Sequence, residues 1–155
     1  MTHTSATEHI IAHLREAGLR VTPQRIAVYS ELANAQDHPT AADLYARLRV
    51  DMPSLSQATI YNALQVMTEM GVVRELTSGE GPSRYDADLY PHAHLVCTRC
   101  GRIDDFHAAA LDIPRPGDSL AEQTGYEIEA VGVFFYGRCP ACRGAAQLGT
   151  GGQDE

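Results

Sequence analysis

The four cysteines stand in two Cys-x-x-Cys pairs, Cys97-Thr98-Arg99-Cys100 and Cys139-Pro140-Ala141-Cys142. Four thiolates suit a tetrahedral Zn²⁺, and a shell with no open position serves structure rather than catalysis. Redox dithiols or metal-free buried thiols are the competing reading. Two pairs that exhaust the cysteines, with Gly101 and Pro140 in or beside the turns, favour zinc. A second cluster, His92-Ala93-His94, comes just before Cys97. In a strand its two imidazoles share one face while Ala93, Leu95 and Cys97 take the other, so one segment can serve two metal sites. Asp86, Asp88, Asp104, Asp105 and the loop residue His38 are nearby candidates for further ligands. Nitrogen and oxygen donors without sulfur suit Fe²⁺, Mn²⁺ or Zn²⁺. Taken alone, a His-x-His reads more readily as surface histidines, and a lone loop histidine as a cap or a solvent-exposed residue.

A third constellation needs a helix. On a helix opening at Ser54 or Ser56, the apolar residues Ile60, Leu64 and Met67 share one face. Gln57, Ala58, Thr59, Tyr61, Asn62 and Gln65 are left to read bases: the amides and the phenol can bond base edges, and Ala58 and Thr59 can meet a thymine methyl. Polar solvent faces are common. The aromatic Tyr61 within the polar stripe, and Arg20 and Arg25 upstream as phosphate contacts, lift this one above that background. Lysine is absent, so every cationic contact is arginine, and Arg47, Arg49 and Arg74 are further candidates.

The elements that must position these residues change character midway. Ile10, Ile11 and Leu14 form a stripe ending at Gly18. Thr22-Pro23 starts a second helix with Ile26, Tyr29 and Leu32 inward, and Thr40-x-x-Asp43 starts a third with Leu44, Tyr45 and Leu48 inward. After the fourth helix, Val72 to Thr77 and Ser83 to Asp86 read as strands joined by a turn through Ser78-Gly79-Glu80-Gly81-Pro82. Helices followed by a hairpin are the order of a winged helix-turn-helix. The second half reads as strands at His92–Cys97 and Gly101–Phe106, a short helix at Asp118–Thr124, and a β-rich run from Tyr126 to Tyr136. That run alternates at Tyr126, Ile128 and Ala130, then turns apolar on both faces at Val131, Val133, Phe134 and Phe135, as a second subunit would require.

The 155 residues, 44% of them hydrophobic, suffice for one compact domain or two small ones. No apolar run of about 18 residues and no basic-then-apolar leader is present, so no membrane association and a cytoplasmic location are expected. The net charge of −8 is uneven: residues 1–76 carry 6 Arg against 8 acids, residues 77–155 carry 6 against 12. A DNA-binding face in the first half is compatible with that balance, because the local field decides contact.

Four segments in this order, Gly18-Leu19-Arg20-Val21-Thr22-Pro23-Gln24-Arg25, Asp37-His38-Pro39-Thr40-Ala41, Ala58-Thr59-Ile60-Tyr61-Asn62-Ala63-Leu64 and His92-Ala93-His94-Leu95-Val96-Cys97-Thr98-Arg99-Cys100-Gly101, resemble the ferric-uptake-regulator (Fur) family of metal-dependent repressors. The resemblance runs from about residue 8 to 143. Residues 144–155, rich in Gly and Gln with an acidic end, have too little apolar content to pack and read as a disordered tail. The resemblance implies an α+β homodimer with a winged-helix DNA-binding domain (1–84), a hinge (85–91) and an α/β dimerisation and metal-binding domain (92–143). It also implies structural zinc on Cys97, Cys100, Cys139 and Cys142. Ser83-Arg84-Tyr85-Asp86 and Tyr61-Asn62 look most like the peroxide-sensing branch, which implies a regulatory site of His38, Asp86, His92, His94 and Asp105 holding Fe²⁺ or Mn²⁺. Asp105 is preferred to Asp104 for its place before Phe106, and Asp88 is a lesser substitute for Asp86. The short Tyr90-Pro91-His92-Ala93-His94 segment, and the lack of histidine before Phe135-Tyr136-Gly137, favour a single regulatory site.

The implied function is transcriptional repression at double-stranded operator DNA, licensed by metal and relieved when peroxide oxidises a ligand histidine, His38 or His92. No enzymatic activity is expected. A manganese- or iron-supply regulator of the same family is the alternative. A hydrolase or oxygenase built on His92, His94 and a carboxylate would leave the helix-wing order and the Tyr61 face unexplained. A zinc-stabilised interaction module would require that no second metal binds.

Overall fold

The structure, a computed structural model, describes residues 5–77, 81–107, 119–128 and 131–145. The chain divides into two compact units, Met1–Leu89 and Tyr90–Glu155.

The first unit opens with α1 (Ala6–Glu16), α2 (Pro23–Asn34), α3 (Ala41–Leu48) and α4 (Gln57–Glu69). Each start is set by a side chain that satisfies otherwise orphaned N–H groups. Ser5 and Glu8 form a capping box on α1, the Thr22 hydroxyl accepts from Arg25 N, and Ser56, rather than Ser54, caps α4. On α3, Thr40 N donates to Asp43 Oδ2 (2.9 Å) and Asp43 N to Thr40 Oγ1 (3.1 Å), so aspartate completes the box in place of glutamate. The Thr40 N–H holds the Asp43 carboxyl below its ordinary pKa. Gly18 (φ +81°) and Gly71 (φ +73°) end α1 and α4 in a left-handed conformation that a Cβ would strain.

The faces turned inward pack one core around Leu14, Val28, Leu32, Leu44, Ile60, Leu64 and Met67. On α2 the buried row is Val28 and Leu32, with Ile26 and Tyr29 half-buried beside it. The expected stripe of Ile26, Tyr29 and Leu32 marks one edge of that row, because Val28 is the helical neighbour of Leu32 one turn back. On α3 Leu44 is buried and Tyr45 and Leu48 lie at the core's margin. The hairpin is shorter than its apolar run: β1 (Arg74–Leu76) pairs antiparallel with β2 (Arg84–Asp86), and Val72 and Val73 enter the core instead. Residues 78–80 of the expected turn lie outside the described residues. The hairpin is tied to the loop before α3, where Tyr85 N donates to Pro39 O (3.1 Å) and Thr40 bridges to Arg84.

The second unit has a three-stranded sheet of order β4-β3-β5. The central β3 (Ala93–Cys97) pairs antiparallel with β4 (Ile103–Phe106) and parallel with β5 (Val133–Gly137). Two short helices, α5 (Ser119–Thr124) and α6 (Pro140–Ala145), complete it. The β-rich run expected from Tyr126 to Tyr136 shrinks to a strand beginning at Val133, while residues 126–128 follow α5 without regular structure. The parallel partner sets this limit, since β3 and β5 are both five residues long and pair along their whole length. Ala130 and Asp118 lie outside the described residues. Gly144 and Ala145, assigned by sequence to a tail, belong to α6, and residues 146–155 lie outside the described residues. No described helix is long and apolar enough to cross a membrane.

Candidate metal centres and nucleic-acid interface

The turn between β3 and β4 presents Cys97 and Cys100. Its geometry is fixed by Gly101 N donating to Cys97 O (2.9 Å) and Cys97 N to Arg102 O (2.8 Å). Cys139 and Cys142 come from the start of α6, where Pro140 takes a first-turn position that needs no N–H. The sulfurs of all four lie within 4.8 Å of one another, and Cys100 and Cys139 Sγ are 3.8 Å apart. Four Zn–S arms of about 2.3 Å span a tetrahedron with edges of about 3.8 Å. Backbone N–H groups already point at sulfur, from Cys139 to Cys97 (3.4 Å) and from Cys142 to Cys139 (3.5 Å). The N–H donors of Cys139 and Cys100 hold the Cys97 thiol down to about 5. Cys142 is pushed up to about 12 by its bond to Cys139 and by burial. Four such sulfurs cannot all ionise unaided, and a dication removes that conflict.

Three residues upstream of Cys97 on the same strand, at His94, chemistry changes from sulfur to nitrogen and oxygen. His92 Nε2 is 3.0 Å and His94 Nδ1 3.1 Å from a single atom, Asp105 Oδ1. Both imidazoles are buried, so they are not surface histidines. The β3–β4 register sets His94 opposite Asp105, and the neighbouring Asp104 pairs instead with Arg102 (2.7 Å). The sequence reading preferred Asp105 for its place before Phe106, and the strand register supplies the physical reason for placing it beside His94. His92 Nδ1 lies 2.6 Å from the Tyr90 carbonyl, which can only accept, so the proton sits on Nδ1 and Nε2 keeps a lone pair. His107, which sequence reading passed over, stacks on the His92 ring at 4.6 Å.

In the first unit, His38 is buried rather than exposed, and its Nδ1 is 3.9 Å from Asp86 Oδ1, also buried. Asp88 is exposed and donates its backbone N–H to Asp86. His38 has φ +47°, the only positive value for a non-glycine among the described residues. Such a conformation costs about 1–3 kcal/mol and persists only where its surroundings impose it. Here Arg84 Nη1 donates to the His38 carbonyl (3.0 Å), binding the loop to the hairpin.

The exposed face of α4 carries Gln57, Ala58, Tyr61, Asn62 and Gln65, with Thr59 half-buried. Tyr61 is 55% exposed, unusual for an aromatic on a helix whose other face is fully packed. Thr59 and Asn62 join Arg20, Thr22, Gln24 and Arg25 around a groove of about 240 Å³. Thr22 and Gln24 are additions to the sequence reading, which took only the arginines of this segment. Arg25 Nη1 donates to Arg20 O (2.7 Å), fixing the groove's rim. Gln65 lies outside the groove lining and donates to Glu69 (3.0 Å). Arg47 is occupied by Asp37 and Glu31, Arg49 lies over the Tyr45 ring, and Arg74 reaches the Leu89 carbonyl.

The model of the ferric uptake regulator family matches residues 16–136. The chain belongs to the ferric uptake regulator family. Its function is that of the family's metal-dependent transcriptional repressors. It is 41% identical over 137 residues to the peroxide-responsive repressor PerR of Staphylococcus epidermidis, covering 88% of this chain and 89% of the relative. The peroxide stress regulator of Campylobacter jejuni superposes with a TM-score of 0.67 at 28% identity, over 89% of this chain and 99% of the other. The Helicobacter pylori ferric uptake regulator, described as having three functional metal-binding sites, shares the fold with a TM-score of 0.70 at 19% identity, over 92% and 97% of the two chains.

Proposed function

We propose that this family member is a cytoplasmic homodimer that represses transcription at double-stranded operator DNA when one Fe²⁺ or Mn²⁺ per chain is held by His38, Asp86, His92, His94 and Asp105. Zinc on Cys97, Cys100, Cys139 and Cys142 is structural. The division into a winged-helix domain (1–84), hinge (85–91) and dimerisation domain (92–143) belongs to the same reading. The observation that carries it is the convergence of two buried imidazoles on one oxygen of Asp105. That donor set fits a divalent ion of the iron or manganese type, and when bound an Fe²⁺ ion supplies the electrons that peroxide requires.

The chain's own residues account for the coupling. Tyr90 and Asp105 hold the His92 and His94 rings, while Arg84 holds the loop of His38. Ligands drawn from both units release their full binding free energy only in the conformation that lets them share an ion, so metal and operator favour the same state. Oxidation of His38 or His92 removes one ligand and with it that preference. The phosphate contacts are Arg20 and Arg25, and the base-reading residues are Gln57, Ala58, Thr59, Tyr61, Asn62 and Gln65.

His38→Ala tests the proposal most directly. Fluorescence anisotropy with a labelled operator should show a Mn²⁺-dependent gain in affinity of about 5–150-fold in the parent. The variant should remain a zinc-bound dimer and show little gain. A full gain in His38→Ala would remove His38 from the regulatory site. In the parallel experiment, peroxide added to the Fe²⁺-loaded protein should release the operator and add one oxygen atom to His38 or His92, read by mass spectrometry of peptides. Release of the operator with neither histidine modified would favour the metal-supply reading.

A further inference from the structure

His9 and His13 lie outside both metal centres. His9 and His13 stand one turn apart on α1, at the i, i+4 spacing that places two side chains one above the other on one helical face. Both are exposed to solvent. We infer that α1 carries an additional divalent-metal site formed by the imidazoles of His9 and His13, selective for Ni²⁺, Cu²⁺ or Zn²⁺ over Mn²⁺.

Each ring is already restrained by a contact unrelated to metal. His9 Nδ1 lies 3.3 Å from the Ser5 carbonyl, at the helix start that the Ser5–Glu8 capping box fixes. A carbonyl only accepts, so this bond places the proton on Nδ1 and leaves the lone pair on Nε2. The His13 ring rests on Tyr29 of α2, with centroids 5.4 Å apart. Helical side chains lean toward the N-terminus, which carries the His13 ring over the turn that bears His9. Glu16, a further i+3 step beyond His13 and also exposed, adds negative charge to the same face.

The donor set determines the selectivity. Two neutral imidazoles with water completing the shell suit nickel, copper and zinc, as helical His-x-x-x-His pairs do in zinc sites, whereas manganese prefers carboxylate and water. An ion bridging one turn also stiffens the helix whose last turn holds Leu19, through Leu19 N donating to Leu14 O (2.9 Å), next to the groove residue Arg20.

The test is a calorimetric nickel titration of the zinc-loaded full chain, with His3→Gln in every sample so that the remaining N-terminal histidine is excluded. His9→Gln and His13→Gln are then added singly. The parent should take up one more nickel ion per chain than either variant, and manganese stoichiometry should be the same in all three. Equal nickel stoichiometry in all three would overturn the site. Loss in only one variant would overturn the pairing.

Discussion

At the scale of single residues, the most consequential choice is between two adjacent acids. Asp104 and Asp105 project from opposite faces of β4, and pairing with β3 commits Asp105 to the histidines and Asp104 to Arg102. Asp105 accepts from His94 Nδ1 (3.1 Å) and so orients that ring even before an ion arrives, and even outer partners of this kind change metal affinity about 10–100-fold. Asp105→Asn should therefore weaken Mn²⁺ binding by at least about tenfold, while Asp104→Asn leaves it nearly unchanged. Electron paramagnetic resonance titration of free Mn²⁺ reads both. Equal losses would mean that the two acids act through general charge rather than position. The strained backbone of His38 belongs to the same scale, since a carbonyl bond from Arg84 fixes a conformation that the histidine would not adopt alone.

At the scale of elements, the helices were legible because their signals are short-range. Thr22 with Pro23 and Thr40 with Asp43 each close a cap within one turn, so neighbouring residues sufficed to place those starts, whereas the Ser5–Glu8 cap of α1 was not read and the start of α4 was narrowed only to Ser54 or Ser56. The strands were less so. Tyr126 to Tyr136 reads as one apolar run, yet only Val133–Gly137 finds a partner, and that partner is far away in sequence. The sites divide in the same way. Cysteine spacing pointed to zinc and the alternation of His92 and His94 put them on one face. Thr22, Gln24 and His107, by contrast, are found only by what the fold brings beside them. On α4, Tyr61 stands on the solvent side of a helix packed through Ile60, Ala63, Leu64 and Met67. If that face reads bases, Tyr61→Ala weakens operator binding by about 1–3 kcal/mol and random duplex far less. Arg20→Ala should weaken both and lower the salt slope by about 1, as the loss of one phosphate contact does. Anisotropy across a salt series separates the two, and equal losses on both duplexes for Tyr61→Ala would take it off the readout face.

At the scale of the whole molecule, the two units differ in how they can remain folded. The first encloses a continuous apolar core of four helices, including six side chains among the most deeply buried: Leu14, Val28, Leu44, Ile60, Leu64 and Met67. Among the described residues of the second, the buried apolar set is Ala93, Val96, Cys97 and Ile103, while Leu95, Phe106, Leu120, Tyr126, Phe135 and Tyr136 remain exposed. Leu95 and Phe135 are paired across the sheet and so share one uncovered face. So thin a core does not support a small unit by itself, and such units draw on metal and on association. A closed tetrathiolate zinc site contributes about 10–16 kcal/mol at neutral pH, more than the usual net stability of a domain. Stripping zinc, or replacing Cys100 by Ser, should therefore dissolve the sheet, and with it the proposed dimer, while leaving the first unit helical. Sedimentation should show a monomer, and amide exchange should show protection retained in α2 and α4 and lost in β3. A zinc-free chain that sediments as a dimer with an unchanged melting temperature would mean that the exposed apolar face, not the metal, carries the second unit's stability.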